Sequence, residues 1–114
     1  MSIREKALAA TGVREYAHDT VPILGEVKMR SLTEQEFQSG VAKWFRNDKF
    51  EIIEDRQKYD RVKIVQMCLL DEDGETLAFS DSIADLDILV GLGSACIDGL
   101  TDMANKLTRA PLKN

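Results

Sequence analysis

The chain has 114 residues, 44% of them hydrophobic and 31% charged, and a formal net charge of −5. That length suits one domain with a core large enough to fold by itself, and the composition is that of an ordinary globule. The acidic balance excludes general binding to nucleic-acid phosphates, which takes a basic face. No run approaches the roughly 20 apolar residues of a membrane span.

In chain order, residues 1–20 lack firm periodicity, and 7–10 sustain a short helix at most, so a loosely held N-terminal segment is expected. Arg4, Glu5 and Lys6 interrupt any signal-peptide core, and a cytosolic protein is expected. The main domain is placed at 21–110, with 111–114 as a tail. Pro22 and Gly25 punctuate the next stretch, after which Glu26, Lys28 and Arg30 alternate with Val27 and Met29. Period two predicts a half-buried strand with Val27 and Met29 facing inward.

Thr33 followed by Glu36 is a capping-box pair, with Leu32 and Phe37 at the flanking apolar positions. Phe37, Val41, Trp44 and Phe45 then fall on one stripe, which predicts a helix over 34–46. Residues 50–54 alternate without a clear type. Residues 56–70 are predicted helical, with Tyr59, Val62, Val65 and Leu69 on one face. The β-branched Val62, Ile64 and Val65 leave a strand over 62–70 as the alternative. A turn is predicted at 71–74, with Gly74 free to take positive φ, and Leu77 and Phe79 form a brief extended piece. Ser80 or Ser82 caps a helix carrying Leu86 and Leu89, Gly91 and Gly93 break it, and Ser94 caps a last helix that Pro111 stops. Lys106 and Arg109 suit the negative end of its dipole.

The predicted fold class is α+β, a predominantly helical single domain of about four helices with a minor β element. Its core is expected to hold Phe37, Val41, Trp44, Val62, Val65, Leu69, Leu86, Leu89, Ile97, Leu100 and Leu107.

Charge is segregated along this chain. Residues 64–105 carry Asp71, Glu72, Asp73, Glu75, Asp81, Asp85, Asp87, Asp98 and Asp102 and no lysine or arginine. Such a stretch makes a local negative field, which speaks to partners more than to fold. The acids of the last two helices, Asp81, Asp85, Asp98 and Asp102, are therefore candidates for docking a basic helix or tail. Trp44, Phe45 and Phe50 lie too close together for all three to be buried internally, and predict self-association through residues 34–50.

Chemistry finds little support. With Gly74 at the sixth position of a calcium loop, Leu69 would be its first ligand and Ser80 its twelfth, and neither supplies a carboxylate. Cys68 and Cys96 sit in apolar runs and read as reduced core residues. With one remote histidine, His18, they match no zinc spacing. Gly91 and Gly93 lack the third glycine and the strand of a dinucleotide fingerprint. No enzyme, metal or cofactor is expected.

Several landmarks occur in order over residues 26–107. A strand-like Val27-Lys-Met-Arg-Ser-Leu-Thr33 leads into a Thr-capped helix. Arg61 precedes Val-Lys-Ile-Val-Gln-Met-Cys-Leu-Leu70, which runs into Asp71-Glu-Asp-Gly74, Leu77-Ala-Phe79 and Ser80-Asp81. This arrangement resembles the tail assembly chaperones of long-tailed bacteriophages and prophages. It departs from them at residues 50–54 and in the first twenty residues. The resemblance implies a non-catalytic helical protein that binds the tape-measure protein, helps recruit tail-tube subunits and acts in the host bacterial cytoplasm. It also implies departure before the virion matures, and correspondence to the short form where a frameshifted longer product exists. The alternative is a structural tail or connector subunit retained in the particle.

Overall fold

A six-residue helix, buried nearly all round, lies at the centre of the molecule. The computed structural model describes residues 2–109, the Arg109 side chain excepted. Helix α1 (Ile3–Ala10) precedes an antiparallel hairpin of β1 (Tyr16–Val21) and β2 (Gly25–Arg30). Helix α2 (Glu34–Phe37) runs into a π-helical turn (Gln38–Ala42), and a 3-10 helix follows at Glu54–Tyr59. The central helix α3 (Lys63–Cys68), α4 (Ile83–Val90) and α5 (Ser94–Arg109) complete the described chain. The protein is a small α+β single domain, 49% helical, with a two-strand antiparallel sheet.

Alternation explains the sheet. Tyr16 pairs with Arg30 and Val21 with Gly25, so Ala17, Val21, Val27 and Met29 share one face. α5 packs against β1, and Val21 and Met29 are buried. Met29 also bridges Leu69, and Leu70 bridges Leu77, so two short extended pieces continue the hairpin sideways. At the hairpin tip the Leu24 amide donates to the Pro22 carbonyl at 2.9 Å across Ile23, whose φ is +75°. That is a γ-turn of the strained hand, and a β-branched residue there is an outlier.

α3 receives α4, α5 and the π-helical turn. Val65, Cys68, Leu86, Leu89 and Leu100 meet in one cluster with Val62, Leu69 and Ile97. Burial pushes the Cys68 thiol up to about 12, which makes it an inert core group.

The structure corrects several expectations. Residues 16–20, read as part of a loose N-terminal segment, belong to β1, and the boundary drawn at 20/21 falls inside that strand. α1 does form, over two turns with a Ser2–Glu5 capping box, yet buries nothing. The helix predicted over 34–46 opens into the π-helical turn after Phe37. Ser39 Oγ donates back to the Gln35 carbonyl there at 2.8 Å, and Gly40 follows. Such Ser/Gly pairs bend helices.

The helix predicted over 56–70 is interrupted at 60–62 and becomes extended at Leu69, while the β-branched Ile64 and Val65 are accommodated inside α3. Gly93, not Ser94, precedes α5, its carbonyl accepting the Ile97 amide. Phe37, Val41, Trp44 and Leu107 are partly buried against the core and not inside it. Pro111 and the tail at 111–114 lie outside the described residues.

Arg14 ties the hairpin to α2. Its guanidinium donates to both carboxylate oxygens of Glu36 at 2.8 Å, and to the Ser31 carbonyl at 2.8 Å. Glu36 also completes the capping box with Thr33. The Arg14 hydrogen bonds, helped by the Thr33 amide, hold the Glu36 carboxyl down at about 2, from an ordinary value of 4.5. A depressed carboxylate stabilises the fold fully above its unfolded value, and loses that contribution as pH falls through its folded one. The stability difference between wild type and Glu36→Gln should therefore be constant near neutrality and shrink between pH 4.5 and about 2. Urea titrations at a series of pH values check this; a gap that persists at the acid end would contradict it.

Candidate binding surfaces

Trp44 stands where three elements meet. Its ring lies edge-on to Phe45 at 5.0 Å and to Tyr59 at 6.0 Å. The Arg56 guanidinium sits 4.5 Å from the Trp44 ring centre and the Lys63 ammonium 4.7 Å from it. Arg56 also donates to the Trp44 carbonyl at 2.6 Å. Trp44 is thus committed to an internal cation–π arrangement. Phe45 is half-buried beside it.

Phe50 is different. It is 68% exposed, on a tight loop closed by the Arg46–Ile52 bridge, with φ of +61°. The Asn47 carboxamide oxygen accepts the Lys49 and Glu51 amides at 2.8 and 3.0 Å and holds that loop. Of the three aromatic candidates only Phe50 presents most of its ring to solvent.

Lys63 is 1% exposed. Its ammonium donates to Gln66 Oε1 and to Asp81 Oδ1, both at 2.8 Å. Gln66, also buried, donates through Nε2 to the Ser80 carbonyl at 2.7 Å and the Ser82 carbonyl at 3.1 Å. Ser82 caps α4 by accepting the Asp85 amide, and Asp85 accepts from the Ser80 amide and hydroxyl. The polar positions of the apolar α3 run are thereby joined to Ser80-Asp81-Ser82. Sequence reasoning misses both Lys63 and Gln66. The only signal is two polar residues inside a run with no solvent-facing stripe.

The other acids fare similarly. Asp98 pairs with Arg61, Asp102 with Lys106 at 3.0 Å, and Asp87 accepts the Tyr59 hydroxyl at 2.5 Å, which pushes that phenol above its ordinary value. Bases absent from 64–105 in sequence reach the acids through space, from Arg61 and Lys63 on one side and Lys106 on the other. Each of the four acids proposed for docking therefore has an internal partner, although the Asp81, Asp98 and Asp102 side chains stay largely exposed.

Apolar surface lies elsewhere. α4 is apolar around most of its circumference but buries only Leu86 and Leu89; Ile83, Ile88 and Val90 remain exposed. A helix apolar on its outer side ordinarily meets a partner. A groove of about 700 Å³ opens between the hairpin and the turn at 71–74, lined among others by Leu24, Val27, Leu70, Asp71, Glu72 and Phe79. Within that turn Gly74 has φ of +70°, as expected. Asp73 accepts from the Glu75 and Thr76 amides and the Thr76 hydroxyl. His18 is exposed on β1.

Among the described residues no cluster of three or more His, Cys, Asp or Glu could hold a metal ion, and no helix is long and apolar enough to cross a membrane. Comparison of the chain with protein-family models, with curated proteins and with solved structures finds no match.

Proposed function

We propose that this chain is a non-catalytic assembly chaperone of a long-tailed phage or prophage. It binds the tape-measure protein, helps recruit tail-tube subunits, works in the host cytoplasm and leaves before the particle matures. The observation that carries a binding role is apolar side chains left exposed among the described residues: Ile83, Ile88 and Val90 on α4, and Phe50 and Ile52 on the 46–52 loop. The resemblance over residues 26–107 supplies the kind of client. Its most telling segment, 62–81, is also the segment joined internally by Lys63, Gln66 and Asp81. A tape-measure protein is a long amphipathic helix whose apolar stripes aggregate when unpaired, and weak contacts repeated along it add up to avidity.

Co-expression with a long helical tape-measure gene product tests the reading. The chaperone should keep that product soluble and co-purify with it, and should be missing from purified virions by mass spectrometry. Finding it in virions at tail stoichiometry would favour a retained structural subunit instead.

Self-association belongs to the same reading and runs through residues 34–50. Phe50→Glu removes the most exposed of the three aromatics without entering the core, and is expected to convert an oligomer to monomer in light scattering at micromolar concentration. A wild-type monomer, or an oligomer indifferent to the substitution, would overturn this.

A further inference from the structure

We infer that the groove between the β1–β2 hairpin and the 71–74 turn is the docking site for a protein segment that carries an apolar residue flanked by lysine or arginine. The floor is apolar: Leu24, Val27, Leu70 and Phe79 line it, and Leu24 is exposed. The rim is acidic, with Asp19, Glu26, Asp71 and Glu72 among its residues. Among the described residues none of these four carboxylates makes a salt bridge, unlike Asp81, Asp98 and Asp102. Against them stands Lys28, whose ammonium lies 4.5 Å from the centre of the Tyr16 ring.

Charge complementarity selects the occupant. A nucleic acid is repelled, and a polyamine leaves the apolar floor uncovered. A basic, apolar protein segment satisfies both parts.

The hairpin tip strengthens this choice. Ile23 adjoins Leu24, is 85% exposed and is held at φ +75° by the γ-turn. A strained turn that projects an apolar side chain beside a groove adds contact area at its mouth. The inference rests on the chain being a binding protein for helical clients. It moves the acidic docking surface from the last two helices to residues 19–28 and 69–79.

Titration of the full-length, nitrogen-15-labelled chain with a synthetic helical peptide bearing leucine on one face and lysine on the other tests it. Saturable shifts are expected at Leu24, Val27, Leu70 and Phe79, weakening as salt is raised. The same peptide with glutamate for lysine should not bind. The exposed-residue variant Asp71→Asn, Glu72→Gln should lose about tenfold in affinity, and Ile23→Asn should weaken binding while leaving the spectrum folded. Shifts confined to Ile83, Ile88 and Val90, equal binding of the glutamate peptide, or full affinity in the double variant would each overturn the groove assignment. Because the probe is a synthetic peptide, those outcomes bear on the groove alone, and co-purification with the tape-measure protein tests the chaperone reading independently.

Discussion

Asp81→Ala should lower stability by about 2–3 kcal/mol, although the Asp81 side chain is 86% exposed. Exposure of that size normally marks a dispensable charge, and exposed ion pairs contribute about 1 kcal/mol or less. Here the partner decides. Lys63 is 1% exposed, and among the described residues its ammonium meets Gln66 Oε1, the Trp44 ring and the Asp81 carboxylate. Removing Asp81 takes away the carboxylate that pairs with Lys63 and leaves a cation inside the protein. Breaking a buried pair costs roughly 3–5 kcal/mol, and solvent access on the Asp81 side moderates that. Asp98→Ala, which breaks the exposed pair with Arg61, is the control and should cost under about 1 kcal/mol.

Adding Lys63→Met to Asp81→Ala should recover part of the loss, since the stranded charge disappears and the methionine fills most of its space. Urea unfolding of the four proteins checks this. If Asp81→Ala costs no more than Asp98→Ala, Lys63 does not depend on Asp81.

The elements legible from residues alone are those with one wet side and one dry side. β2 alternates and so is readable, with Met29 placed inward. Thr33 and Glu36 announce their capping box, Gly74 its turn, and Leu86, Leu89, Ile97 and Leu100 their buried stripes. α3 defeats that kind of reasoning because Val62, Lys63, Ile64, Val65 and Gln66 are all buried. With no solvent-facing side there is no period to count, and nothing local tells that a lysine is interior. β1 escapes for the opposite reason. His18, Asp19 and Thr20 are exposed, and the strand exists through its pairing with β2 and the cover of α5, which are non-local. The candidate site is legible only as charge and aromatic content. Which acids stay free depends on where Arg61, Lys63 and Lys106 arrive in space.

Gly99→Ala should destabilise the protein by about 1–2 kcal/mol despite improving a helix interior. Alanine in place of glycine ordinarily favours a helix by about 1 kcal/mol. At this position, however, a β-carbon would stand 2.8 Å from Val21 Cγ1 and 3.4 Å from Val21 Cβ. Val21 is buried and β-branched, so it has no free rotamer to swing into and the helix must back away from the strand. Overpacking of this kind costs roughly 1–3 kcal/mol, which outweighs the propensity gain. Gly93→Ala meets nothing within 4 Å and serves as the comparison. Thermal unfolding of the two variants should separate them clearly; an unchanged melting temperature for Gly99→Ala would show that the α5–β1 contact is slack.

That contact also sets an order of events while the chain is being made. The hairpin leaves the ribosome well before the helix that covers its apolar side. Val21 must wait for Gly99, and closing so long a loop is entropically slow compared with forming either element alone. Until residues 94–109 emerge, Val21 is available to any apolar surface nearby.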